Sequence, residues 1–108
     1  MVVGVCRITF HLDGNDSLKG KRRVVRRIID RARNKFNVAV AEVAALDEHR
    51  RAVIGFAVVS NEVGHANSML DTIGGFVSGL TEAVVLDRSI ELIHAGAGDG
   101  PLQEWIEP

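Results

Sequence analysis

Residues 38–60 read VAVAEVAALDEHRRAVIGFAVVS, two apolar runs separated by the charged turn Asp47-Glu48-His49-Arg50. Runs of this length, rich in valine and closed by a polar cluster, have the pattern of half-buried strands. The spacing predicts strands over 38–46 and 51–60, paired as an antiparallel hairpin. On both sides of the hairpin the apolar period changes. Upstream, Val25, Ile28, Ile29, Ala32 and Phe36 follow an i, i+3, i+4, i+7, i+11 stripe with Leu18 on the same side, which predicts a helix over 17–36, about 30 Å long. Downstream, Ala66, Met69, Leu70, Ile73, Val77 and Leu80 form a second helical stripe. Ser17 or Asp16 can cap the first helix, and Ser60 or Asn61 the second, by accepting a backbone N–H.

Further out, both ends return to the period of a strand. In residues 2–12, Val2, Gly4, Cys6, Ile8, Phe10 and Leu12 share the face assigned to the core, while Val3, Val5, Arg7, Thr9 and His11 point outward. Residues 82–94 place Val84, Leu86, Ile90 and Leu92 on one face. Gly64, Gly74, Gly75 and Gly79 make the second helix a poor one, at about 1 kcal/mol each relative to alanine, so packing must hold it and Gly74 is a point where it can break. The order β-α-β-β-α-β is that of an α+β, ferredoxin-like fold, an antiparallel four-stranded sheet with two helices on one face. Residues 1–95 form this single domain. A glycine-rich lead, GAGDGP, then opens a tail over 96–108 that can dock through Leu102, Trp105 and Ile106.

A chain of 108 residues, 46% hydrophobic and 25% charged, can bury one core without metal or disulfide and is too apolar for disorder. Cys6 is the only cysteine, so no internal disulfide forms. The start, MVVGVCRITFHLD, lacks the basic and long apolar regions of a signal peptide. No stretch approaches the roughly 18 apolar residues of a membrane span. The expectation is a cytoplasmic protein without membrane partners.

Charge is distributed very unevenly. Residues 17–36 carry Lys19, Lys21, Arg22, Arg23, Arg26, Arg27, Arg31, Arg33 and Lys35 against Asp30 alone, a net +8. The rest of the chain has four basic and thirteen acidic residues, a net −9, so the overall −1 conceals a dipolar molecule. On a helical wheel the cations fill the arc left by the apolar stripe, and those in the first turns oppose the helix dipole. A docked anion relieves both penalties, and helix N-termini bind phosphates through free N–H groups. A solvated face neutralised by acids elsewhere, such as Asp47, Glu48 or Asp87, is the competing reading.

The segment SLKGKRRVVRRIIDRARNKFNVAVAEV, followed by RAVIGFAVVSNE, resembles the YlxP-like bacterial proteins, a domain of unknown function. The resemblance runs from about Val2 to His94. It is most specific at Ser17-Leu18-Lys19, Lys21-Arg22, Phe36-Asn37-Val38 and Ala41-Glu42-Val43. It implies a ferredoxin-like fold and genes that often lie beside those of translation initiation and ribosome maturation factors. It implies no established activity or catalytic residue. Where many relatives carry Glu three residues after the serine, completing a capping box, this chain has Gly20.

Catalytic signatures are weak. His11, His49, His65 and His94 fall on different elements without metal-ligand spacing, so neither metal nor cofactor is expected. The order HLDGNDSLKGKR is not the phosphate-binding signature of acylphosphatases, which share the fold. Gly96-Ala97-Gly98-Asp99-Gly100 precedes a proline rather than a crossover helix and is no dinucleotide fingerprint. Cys6 on a core-facing strand is not a nucleophile. RNA-recognition motifs stack bases on sheet aromatics, but the outward positions of the first and third strands contain none.

Those positions, Val3, Val5, Val53, Gly55, Ala57 and Val59, are too apolar to remain wet and predict an outer-face interface, with a homodimer preferred over coverage by the tail. Taken together, the residues lead to the expectation of a non-enzymatic protein. It would bind RNA or a ribosomal subunit through phosphate contacts from Lys19, Lys21, Arg22, Arg23, Arg26, Arg27 and Arg31. The competing expectation is a dimeric interaction module without affinity for nucleic acid.

Overall fold

The computed structural model describes residues 1–80, 83–96 and 99. Six elements lie among these residues: β1 (Val2–His11), α1 (Leu18–Lys35), β2 (Ala39–Ala44), β3 (Arg51–Ser60), α2 (Val63–Ser78) and β4 (Val84–His94). Their order in the sheet is β2-β3-β1-β4, and every neighbouring pair is antiparallel. This is the ferredoxin-like arrangement. β1 and β3, central in the sheet, are paired without interruption from Val2 opposite Ser60 to His11 opposite Arg51.

The alternation of β1 delivers its even-numbered side chains to the helices. Cys6, Ile8 and Phe10 join Ile54, Phe56 and Val58 of β3, Ile28 and Ala32 of α1, and Leu70, Ile73 and Val77 of α2 in one core. A Cβ on Gly4 would come within 2.8 Å of Leu70, so the glycine lets α2 lie close against β1. Phe36 and Phe76 meet edge to face at 5.4 Å where α1 ends.

Of the two caps expected for α1, Ser17 is the one used, accepting the Gly20 N–H at 3.0 Å, while several other local expectations change. A Cβ at Gly20 would strike Asn15, whose amide donates to the carbonyls of Ser17 and His49. Asn15 thus holds the space that a capping-box glutamate would use. α2 has Glu62 at its N-cap without a side-chain bond, while Ser60 Oγ instead accepts the Glu62 N–H. α2 runs unbroken through Gly74, without the break its glycines allow. Gly74 lies under the Arg88 guanidinium, which donates to the carbonyls of Leu70 and Asp71 and to the Asp71 carboxylate.

β2 is shorter than the 38–46 predicted, because a bulge between Glu42 and Ala44 and a left-handed Ala45 (φ 58°) end its pairing. The 82–94 strand starts at Val84, its first expected residue lying outside the described ones. A bulge opposite Thr9 and Phe10 slips the register of β4, so that Val84 pairs with the outward His11 while Ile90 and Leu92 pair with the core residues Cys6 and Gly4. The four apolar residues of β4 therefore do not share a face. The tail from 100 onward, with Leu102, Trp105 and Ile106, lies outside the described residues.

Candidate functional site

The stripe that seats α1 on the sheet is Lys21, Val25, Ile28 and Ala32, an i, i+4, i+7, i+11 row. Lys21 is the correction to the expected basic face. Its ammonium is completely buried, 2.8 Å from a Glu42 carboxylate oxygen. It donates to the carbonyls of Ala45 at 2.6 Å, Leu46 at 3.2 Å and Arg51 at 3.3 Å. Three protons thus go to three carbonyls, and Glu42 supplies the compensating charge that a buried cation requires. Lys21 belongs to the core and cannot reach a phosphate.

Lys19, Arg22, Arg23, Arg26, Arg27 and Arg31 are all exposed. Among the described residues none of them forms an ion pair. Of the acids named as candidates to neutralise them, Glu48 pairs instead with Arg51, and Asp47 and Asp87 form no ion pair among the described residues. The first turn of α1 contains no acid. Its free N–H groups and uncompensated cations therefore create one strongly positive surface. Arg33 and Lys35 are also exposed but are engaged within the chain, Arg33 donating to the Val40 carbonyl at 3.2 Å and Lys35 lying 5.3 Å from the centre of the Phe76 ring.

The opposite face of the sheet carries the second expected surface. An open groove of about 760 Å³ crosses all four strands, lined by Val5, Ala41, Val43, Gly55, Ala57 and others. Val59 and Val43 are 62% and 53% exposed, and Val3, Val5 and Ala57 are half-buried. Val53, also placed in this interface by the sequence, is only 2% exposed. It is buried with its ladder partner Thr9, so that end of the face is closed within the chain and Val53 is not available to a partner. No group of three or more histidine, cysteine, aspartate or glutamate side chains that could hold a metal occurs among the described residues. No helix among them is long and apolar enough to cross a membrane.

Sequence reasoning missed the oxygen nest around Lys21. The signal was present in the spacing, because Lys21 stands four, seven and eleven residues before Val25, Ile28 and Ala32. The carbonyls of Ala45, Leu46 and Arg51 leave no comparable signal, since backbone acceptors do not depend on side-chain identity.

These features define a ferredoxin-like α+β domain with a basic helix on one side of its sheet and an apolar face on the other. The chain belongs to the family described as proteins of unknown function, DUF503, whose pattern matches residues 3–90. It is 36% identical over 74 residues to the uncharacterized protein YlxP of Bacillus subtilis (strain 168), covering 68% of this chain and 77% of that protein. A similar solved structure is that of a dimeric ferredoxin-like protein from an uncultured marine organism, with a TM-score of 0.45 and 14% identity over 90% of this chain and 100% of that one.

Proposed function

We propose that this protein is a non-enzymatic, cytoplasmic RNA-binding protein that grips phosphate backbone with the exposed face of α1. The observation that carries the reading is the row of six exposed cations, Lys19, Arg22, Arg23, Arg26, Arg27 and Arg31, without an acidic partner among the described residues. Such a row is costly to an isolated protein and complementary to a polyanion. The outward sheet positions offer no aromatic platform, so backbone phosphates rather than stacked bases are the target. The family resemblance, through its gene neighbourhood, points to a ribosomal subunit or its precursor as the RNA partner. Co-sedimentation with purified ribosomal subunits at low and moderate salt tests this: the protein should pellet at low salt and leave the subunits as salt rises. Failure to pellet at low salt, together with no affinity for any RNA tested, contradicts it.

The outer sheet face supports a second property that also serves the alternative of an interaction module without RNA. Its exposed Val43 and Val59, around a groove of small apolar residues, suit self-association of two copies through Val3, Val5, Ala57 and Val59. The two surfaces lie on opposite sides of the sheet, so occupation of one does not block the other.

A further inference from the structure

The outer face carries charge as well as apolar surface. Arg7 on β1 and Glu91 on β4 are both exposed and both line the groove. The register sets Arg7 opposite Ser89 and Glu91 opposite Val5, which makes the two charges diagonal neighbours on adjacent strands, roughly 7–8 Å apart at the backbone. Among the described residues neither forms an ion pair. A wholly apolar partner would desolvate both charges without offering either one a counter-charge, which is unfavourable. A face bearing charges of both signs, with Asp87 opposite Thr9 and Arg33 at the groove's rim beside Arg7 and Glu91, is instead complementary to itself.

We infer that the occupant of this face is a second copy of the chain, docked sheet to sheet about a two-fold axis that runs between Arg7 and Glu91. That axis sets Arg7 of each copy against Glu91 of the other, giving two reciprocal ion pairs that straddle the centre, as an isologous interface requires. The inference rests on the self-association reading above and supplies its geometry. Ala39, Ala41, Gly55 and Ala57 keep the middle of the face low, which lets two sheets approach to about 10 Å. Four strands of six to eleven residues present roughly 600 Å² per copy, against about 800 Å² per partner in a standard interface. The whole face must then be engaged, including the exposed Val43 and Val59 at its margins. In such a dimer the two α1 helices lie on the outer sides, and both basic surfaces stay open.

Sedimentation equilibrium of the full chain, with circular dichroism to confirm folding, tests the arrangement on four proteins: wild type, Arg7→Glu, the swap Arg7→Glu with Glu91→Arg, and Val59→Asp. Wild type should be dimeric. Arg7→Glu should raise the dimer dissociation constant by about tenfold or more, as expected for losing close charge pairs, and the swap should restore it to within a few-fold. Val59→Asp should also weaken the dimer. If Val59→Asp disrupts a wild-type dimer while Arg7→Glu does not, or the swap fails to restore it, the reciprocal pairing is wrong and the self-association reading stands. A wild-type monomer at high concentration overturns both.

Discussion

The completely buried ammonium of Lys21 connects the first turn of α1 to the end of β2 and the start of β3 through three carbonyls and Glu42. One of those carbonyls belongs to Ala45, whose left-handed backbone (φ 58°) is uncommon for a residue with a Cβ. Removing the ammonium leaves Glu42 and the strained turn uncompensated. Lys21→Ala should therefore lower unfolding free energy by about 3–5 kcal/mol in urea titration, and a loss under about 1 kcal/mol would show the nest to be unimportant. Cys6 provides a second test at this scale. Burial pushes its thiol above the ordinary 9.0, and the nearby Arg88 only partly opposes the shift. Because the folded pKa is raised, the unfolded chain ionises first. The contribution of Cys6 to stability is full below about pH 9 and is lost as pH climbs through the folded value. Cys6→Ala should flatten the alkaline decline in melting temperature, whereas an unchanged profile would place its cause elsewhere.

Among the elements, α1 is built against its own stability. A first turn without an acid and carrying Lys19 opposes the dipole that the same turn creates. Lys19→Glu should raise unfolding free energy by about 0.3–1 kcal/mol at low salt, while RNA affinity falls. A variant that loses stability would contradict this account of the helix start. α2 behaves in the opposite way. Gly→Ala inside a helix ordinarily gains about 1 kcal/mol, but a Cβ at Gly74 would come within 2.4 Å of the Arg88 guanidinium. Gly74→Ala should therefore lower the melting temperature, and Gly75→Ala, with open space around its Cβ position, should raise it. Element order was legible in the sequence because each apolar stripe has an unmistakable period. The continuity of α2 through Gly74 was not, since it depends on Arg88, a residue fourteen positions away whose contact no local pattern announces. The β4 register was hidden for a similar reason: a bulge changes which side chains face the core without altering the strand's composition.

For the molecule as a whole, the charge separation readable in the sequence survives folding, with one revision. The net +8 over residues 17–36 includes Lys21, which folding removes from the surface and Glu42 balances, and Arg33 and Lys35, which turn toward the sheet and the Phe76 ring. What remains exposed without a contact inside the chain is the row from Lys19 to Arg31. A helical wheel identified that face but could not separate cations that are solvated from one that is clamped, because the clamp is assembled by the β2–β3 connection. The outer sheet was legible to the extent that alternation gives it, and Val53 shows where alternation fails, an outward register position that is nonetheless buried. The central claim is that the exposed row on α1 engages RNA phosphates. It is tested most directly by the salt dependence of binding to single-stranded RNA, followed by fluorescence anisotropy for wild type and for Arg23→Glu with Arg27→Glu. With about four phosphates engaged, the slope of log K against log salt should be about −3, and the folded double variant should lose affinity and reduce the slope by roughly one or more. Equal affinity and slope for the two proteins, or no wild-type binding at low salt, would contradict the claim.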